Sequence, residues 1–140
     1  MRAKEQRMVG EEGSIVLTDG ISRVILAPAE PPALGFPTRI EVATGPFSAV
    51  IEAEAWDYKK FCDALIRLHE TLSGEAELTF VEGGHSVTLK GDGRGGVEAS
   101  VVVGDGQSPC HAFLTVTMIL DQSHLPDAIH AIRREFLPSS

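Results

Sequence analysis

The chain has 140 residues, 43% hydrophobic and 23% charged, which suits one ordinary globular domain and argues against intrinsic disorder. A core of that size forms without disulfide or metal staples. With 20 acidic residues against 12 basic ones, the net charge is −8 and pI near 5.0; such a surface repels nucleic-acid phosphates and attracts a basic protein.

Residues 1–12 are charged and aperiodic and read as a flexible tail, with residues 13–140 as a single domain. The opening MRAKEQRMVGEEGS has no apolar run of the kind a secretory signal needs, and no apolar run is long enough to span a bilayer. The expectation is a cytoplasmic protein with no membrane attachment. Ser14–Thr18 and Ser22–Ala27 read as strands around Asp19-Gly20, a pair that favours tight hairpin turns. The proline-rich stretch PAEPPALGFP forbids helix and ladder alike. Thr38–Thr44 and Phe47–Ala55 form the next strand pair. Along the second, Phe47, Ala49, Ile51 and Ala53 alternate with Ser48, Val50, Glu52 and Glu54, giving one dry face and one wet face.

The period then lengthens. Phe61, Leu65, Leu68 and Leu72 follow i, i+4, i+7, i+11 and share one stripe of a helix. Asp57 suits its N-cap, and Gly74 the left-handed residue after its end. The second half repeats the plan. Glu75–Val81, Ser86–Lys90, Gly96–Val103 and Ala112–Asp121 read as strands, and Leu125, Ile129, Ile132 and Phe136 as a second helical stripe. Asp121 or Ser123 suits the cap of this helix, and Pro126 is tolerated in its first turn. The predicted class is α+β, with about eight mostly antiparallel strands and two amphipathic helices in the order ββββα-ββββα.

Gly91-Asp92-Gly93-Arg94-Gly95-Gly96 matches the dinucleotide pattern G-x-G-x-x-G. That pattern needs a helix next, whose N-terminus holds the pyrophosphate. The following VEASVVV is of strand type, so the glycines read as a tight turn that uses positive φ, and no cofactor is expected. The five histidines (His69, His85, His111, His124 and His130) lack HxxxH or HExxH spacing, and no metal site is expected. Cys62 falls on the apolar face of the first helix and Cys110 in a loop, with no disulfide framework. Ser108-Pro109-Cys110-His111 sets nucleophile types beside a histidine, but neighbours on an extended chain point opposite ways, so no catalytic residue is assigned. Glu52/Glu54 and Glu75/Glu77 flank the first helix. Each pair has i, i+2 spacing on a strand and so shares a face. If the two strands pair, four carboxylates gather on one face and repel one another until a basic partner neutralises them. These four are the candidate partner-binding residues.

Three stretches occur in a characteristic order: Leu65-x-x-Leu68-x-x-x-Leu72-Ser73-Gly74-Glu75-Ala76-Glu77-Leu78, then Gly91-Asp92-Gly93-x-Gly95, then Asp121-Gln122-Ser123-x-Leu125-Pro126. Together they resemble the WapI-type immunity proteins, a family of small bacterial proteins, over roughly residues 36–136. Members often carry Thr and an aromatic after Asp-Gln, where Ser123 and His124 stand here. The resemblance implies a cytosolic antidote that binds the toxic domain of a secreted or contact-delivered toxin. An acidic, non-catalytic partner suits a toxin with a basic cleft, because complementary charge speeds encounter. Two other readings stay open. One is a small-ligand-binding protein or enzyme with a sheet cavity near His85, His111 or Cys110. The other is a structural subunit that self-associates as a homodimer.

Overall fold

The structure, a computed structural model, describes residues 13–29, 36–81, 84–105 and 111–137. Its elements run β1 (Ile15–Thr18), β2 (Ser22–Pro28), β3 (Phe36–Thr44), β4 (Phe47–Ala55), α1 (Tyr58–Thr71), β5 (Ser73–Thr79), β6 (Ser86–Asp92), β7 (Gly96–Gly104), β8 (Phe113–Asp121), a 3-10 turn (Gln122–His124) and α2 (Leu125–Glu135). The strands form two four-stranded antiparallel meanders, β1-β2-β3-β4 and β5-β6-β7-β8. The α+β class and the ββββα-ββββα order expected from hydrophobic spacing are those observed.

Alternation decides which face of each sheet is dry. In the second sheet Ala76, Leu89, Ala99 and Met118 line up across the strands, and Leu78, Val87, Val101 and Val116 form the next row. All eight are buried, with small and large side chains interleaved. In the first sheet Leu17, Val24 and Val42 make an equivalent row. Both inner faces and both helix stripes contribute to one contiguous apolar cluster. Cys62 is buried on α1, and that burial pushes its thiol pKa up. Cys110 and the expected tail over residues 1–12 lie outside the described residues.

Tyr58, at the start of α1, fastens three parts of the core. It is fully buried, stacks on Phe136 with centroids 3.8 Å apart and meets Phe36 edge-on at 5.6 Å. Thr38 Oγ1 donates to the Phe36 carbonyl at 2.9 Å. Its one hydrogen is thereby used, so the Tyr58 hydroxyl donates to Thr38 Oγ1, also at 2.9 Å. Both buried hydroxyls are satisfied, and burial pushes the Tyr58 pKa up.

Three local expectations are corrected. The β1–β2 connection is wider than a two-residue hairpin, because Thr18 pairs with Arg23. Asp19 Oδ1 accepts from the amides of Ser22 (2.7 Å) and Ile21 (2.8 Å), which also lowers the Asp19 pKa. At the start of α1, Asp57 does accept from the Lys60 amide as expected, at 2.9 Å. Its end is different: the left-handed C-cap is Leu72, with φ of 62°, and Gly74, whose φ is positive at 98° as expected, already belongs to β5. The chain must turn straight into β5, and the Leu72 carbonyl is held by the Gly93 amide at 2.8 Å. In the second half Asp121 caps the 3-10 turn through the Ser123 amide, while α2 itself starts without a side-chain cap and with Pro126 in its first turn.

Among the described residues, backbone pairing joins the two sheets at one place. Ala55 of β4 and Phe80, just past β5, form an isolated antiparallel bridge. It is flanked by bonds from Trp56 N to Thr79 O (3.0 Å) and from Val81 N to Glu54 O (2.8 Å).

Candidate functional site

The glycine cluster is a hairpin turn between β6 and β7, and a strand, not a helix, follows it. Gly93 and Gly95 have φ of 84° and 105°, and Asp92 Oδ1 accepts from the amides of Arg94 (2.7 Å) and Gly96 (3.0 Å). The turn sits against the end of α1. A Cβ added at Gly91 would lie 2.6 Å from the Leu72 carbonyl oxygen and 2.7 Å from Leu68 Cδ1. On its other side the Gly95 carbonyl accepts from the Gln122 amide at 2.7 Å, and Gly96 pairs with Asp121. Residues from all three sequence stretches therefore meet at one junction: Leu68 and Leu72, Gly91 to Gly96, and Asp121 with Gln122. The junction joins backbone to backbone.

The four candidate acids lie on two edge strands, Glu52 and Glu54 on β4 and Glu75 and Glu77 on β5. Among the described residues the strands meet at the Ala55–Phe80 bridge alone and not along a ladder. Because the bridge is antiparallel, the two pairs fall on opposite sides of it. Glu54 and Glu77 are four residue steps apart, about 13 Å along the strand direction, and Glu52 and Glu75 eight steps, about 26 Å. Both spacings exceed the Debye length of about 8 Å at physiological salt. Within each pair the shared face is kept: Glu52, Glu75 and Glu77 are exposed and Glu54 half-buried.

Basic residues intersperse with both pairs. Glu52 stands opposite Arg39, whose Nε bonds Glu41 at 2.8 Å. Glu75 stands opposite Lys90, which stands opposite Glu98. Between α1 and β5 runs a groove of about 270 Å³, with Lys60, Ala64 and Arg67 on one wall and Glu75, Glu77 and Thr79 on the other. The acidic faces are thus patterned in charge and not uniformly negative. Composition could not show this. It depends on cross-strand register, which no local spacing carries.

His85 is buried, and its Nδ1 accepts from the Gly104 amide at 3.0 Å, so the ring is neutral with its proton on Nε2. It meets Phe80 edge-on at 5.9 Å. His111 is exposed, and its amide and that of Ala112 donate to Asp105 Oδ2, each at 3.1 Å, at the entry to β8. Neither histidine lines the groove at β5, the one of about 320 Å³ between β1 and α2, or the one of about 240 Å³ on the outer face of β2–β4. Among the described residues no group of three or more His, Cys, Asp or Glu side chains could hold a metal ion.

Burial pushes the His85 pKa below 6.5. The unfolded imidazole binds a proton more readily than the folded one, so His85 contributes full stability above about pH 6.5 and loses it as pH falls toward the folded pKa. The expected result is a urea-unfolding free energy that declines between pH 7.5 and pH 5. The decline should be shallower in His85→Gln, whose amide oxygen can accept from Gly104 without titrating. Equal slopes in the two proteins would refute this role.

No helix among the described residues is long and apolar enough to cross a membrane. The model of the immunity protein WapI-like family matches residues 35–138, from the start of β3 to just past α2. Neither a curated protein nor a solved structure matches the chain.

Proposed function

The chain belongs to the WapI-like immunity protein family, and from that premise we propose that it is a non-catalytic antidote, acting in the cytoplasm, that binds and blocks a basic toxin domain through acidic surface. The observation that carries this reading is the family match over residues 35–138, which takes in both helices and six of the eight strands. The net charge of −8 supports a basic partner, since opposite fields accelerate encounter. Glu52, Glu54, Glu75 and Glu77 are the residues assigned to it, two from each side of the sheet junction.

The test is association kinetics with a candidate toxin domain, sought at the locus that encodes the chain. Because the two acid pairs are separated by more than a Debye length, they should act independently. Glu52→Lys/Glu54→Lys and Glu75→Lys/Glu77→Lys are each expected to slow association about tenfold at low salt, and about a hundredfold when combined. The differences should shrink at high salt. Association rates unchanged by either double reversal would remove these acids from the interface.

A further inference from the structure

The groove between α1 and β5 has walls of opposite charge, Lys60 and Arg67 on the helix and Glu75 and Glu77 on the strand. All four side chains are exposed, and Ala64 lies half-buried between the two cations. Opposite charges on neighbouring elements can close into ion pairs. Among the described residues, none crosses this groove. The adjacent strip of α1 shows the contrast. There Lys59 pairs at 3.2 Å with Asp63, its i+4 neighbour. The i+4 neighbour of Lys60 is Ala64, which offers a cation nothing. Asp57 also lines the groove, but its carboxylate is engaged by the Lys60 amide as the helix cap. Lys60 and Arg67 are separated by about 10 Å along the helix axis, the length of about three residues of extended chain.

We propose that this groove seats an extended segment of the toxin domain that carries an acidic and a basic side chain next to each other, the acid meeting Lys60 and Arg67 and the base meeting Glu75 and Glu77. The inference rests on the antidote reading and deepens it, since it gives the partner's chemistry at one of the two acid pairs. Charge selects the occupant. A groove of about 270 Å³ brings both walls within a Debye length, about 8 Å, of whatever enters it. A purely basic segment drawn to the glutamates is repelled by Lys60 and Arg67, and a purely acidic one by the glutamates. Adjacent residues of an extended chain point to opposite sides, so a neighbouring acid and base reach one wall each. The net charge of −8 steers the chain toward basic domains in general. The two cations then discriminate among those domains, because one without an acid at this point leaves Lys60 and Arg67 facing like charge.

Binding kinetics of the full-length chain with the candidate toxin domain test this, with far-UV circular dichroism to verify folding of each variant. Lys60→Glu/Arg67→Glu replaces two exposed cations by anions and makes the chain more acidic still. Attraction between an acidic chain and a basic domain therefore predicts equal or tighter binding. The groove predicts the reverse, with dissociation at least about tenfold faster, because the toxin's acid then faces carboxylates on both walls. Lys60→Gln/Arg67→Gln removes the attraction without adding repulsion and should speed dissociation in the same direction but by less. Wild type that binds, with folded variants that dissociate no faster, would overturn the inference and leave the antidote reading standing. Wild type that binds no candidate domain would overturn both.

Discussion

Gly91→Ala is expected to destabilise the fold by about 3 kcal/mol, the upper end of the usual cost of overpacking. The added methyl would meet the Leu72 carbonyl oxygen at 2.6 Å and Leu68 Cδ1 at 2.7 Å. The nearer of these is backbone, fixed from behind by the helix end and in front by the Gly93 amide, so it cannot swing aside. Gly93→Ala makes the useful contrast. Nothing lies within 4 Å of its Cβ position, and the substitution is strained only by a φ of 84°, a cost of about 1–2 kcal/mol. Urea denaturation of both variants separates close approach from backbone strain. Equal losses would show that the junction between α1 and the β6–β7 turn is looser than its contacts imply. The glycines recognised by pattern are therefore explained by packing, with Gly91 needed for the absence of a side chain and Gly93 for its conformation.

Tyr58→Ala is the second large effect, expected to cost about 3–5 kcal/mol, as for other buried aromatics cut to alanine. It removes the stack on Phe136 and the edge contact with Phe36, and so loosens the attachment of α1 and the end of α2 to β3. Smaller changes at the same place should be unequal. Tyr58→Phe leaves Thr38 Oγ1 still donating to the Phe36 carbonyl and should cost about 1 kcal/mol. Thr38→Val strands the buried Tyr58 hydroxyl without a partner and should cost about 1–3 kcal/mol. Thermal or urea unfolding orders the three variants. Thr38→Val less damaging than Tyr58→Phe would contradict the direction of the hydrogen-bond relay.

What the sequence revealed was whatever repeats locally. Alternation in β4 and β8 and the stripes Phe61–Leu68 and Leu125–Ile132 gave the strands, helices and their order, because burial imposes periods of two and 3.6 on neighbouring residues. Gly74 does take a positive φ, as glycine most cheaply can, but the helix cap itself falls two residues earlier at Leu72, whose carbonyl is captured by Gly93, 21 positions away, a contact no local pattern carries. The spacing between the acid pairs was equally illegible. It follows from a single bridge between sheets, and no local pattern states whether β4 and β5 share a ladder or one contact. His85 looked like any other histidine at the start of a strand until Gly104 and Phe80 enclosed it.

An antidote silences its toxin stoichiometrically, so the decisive experiment titrates the activity of a candidate toxin domain, sought at the locus that encodes the chain, with the purified chain. Activity should fall in proportion to the chain added and vanish at one chain per toxin domain, with a toxin from an unrelated locus unaffected. Toxin activity that persists under an excess of folded chain would contradict it.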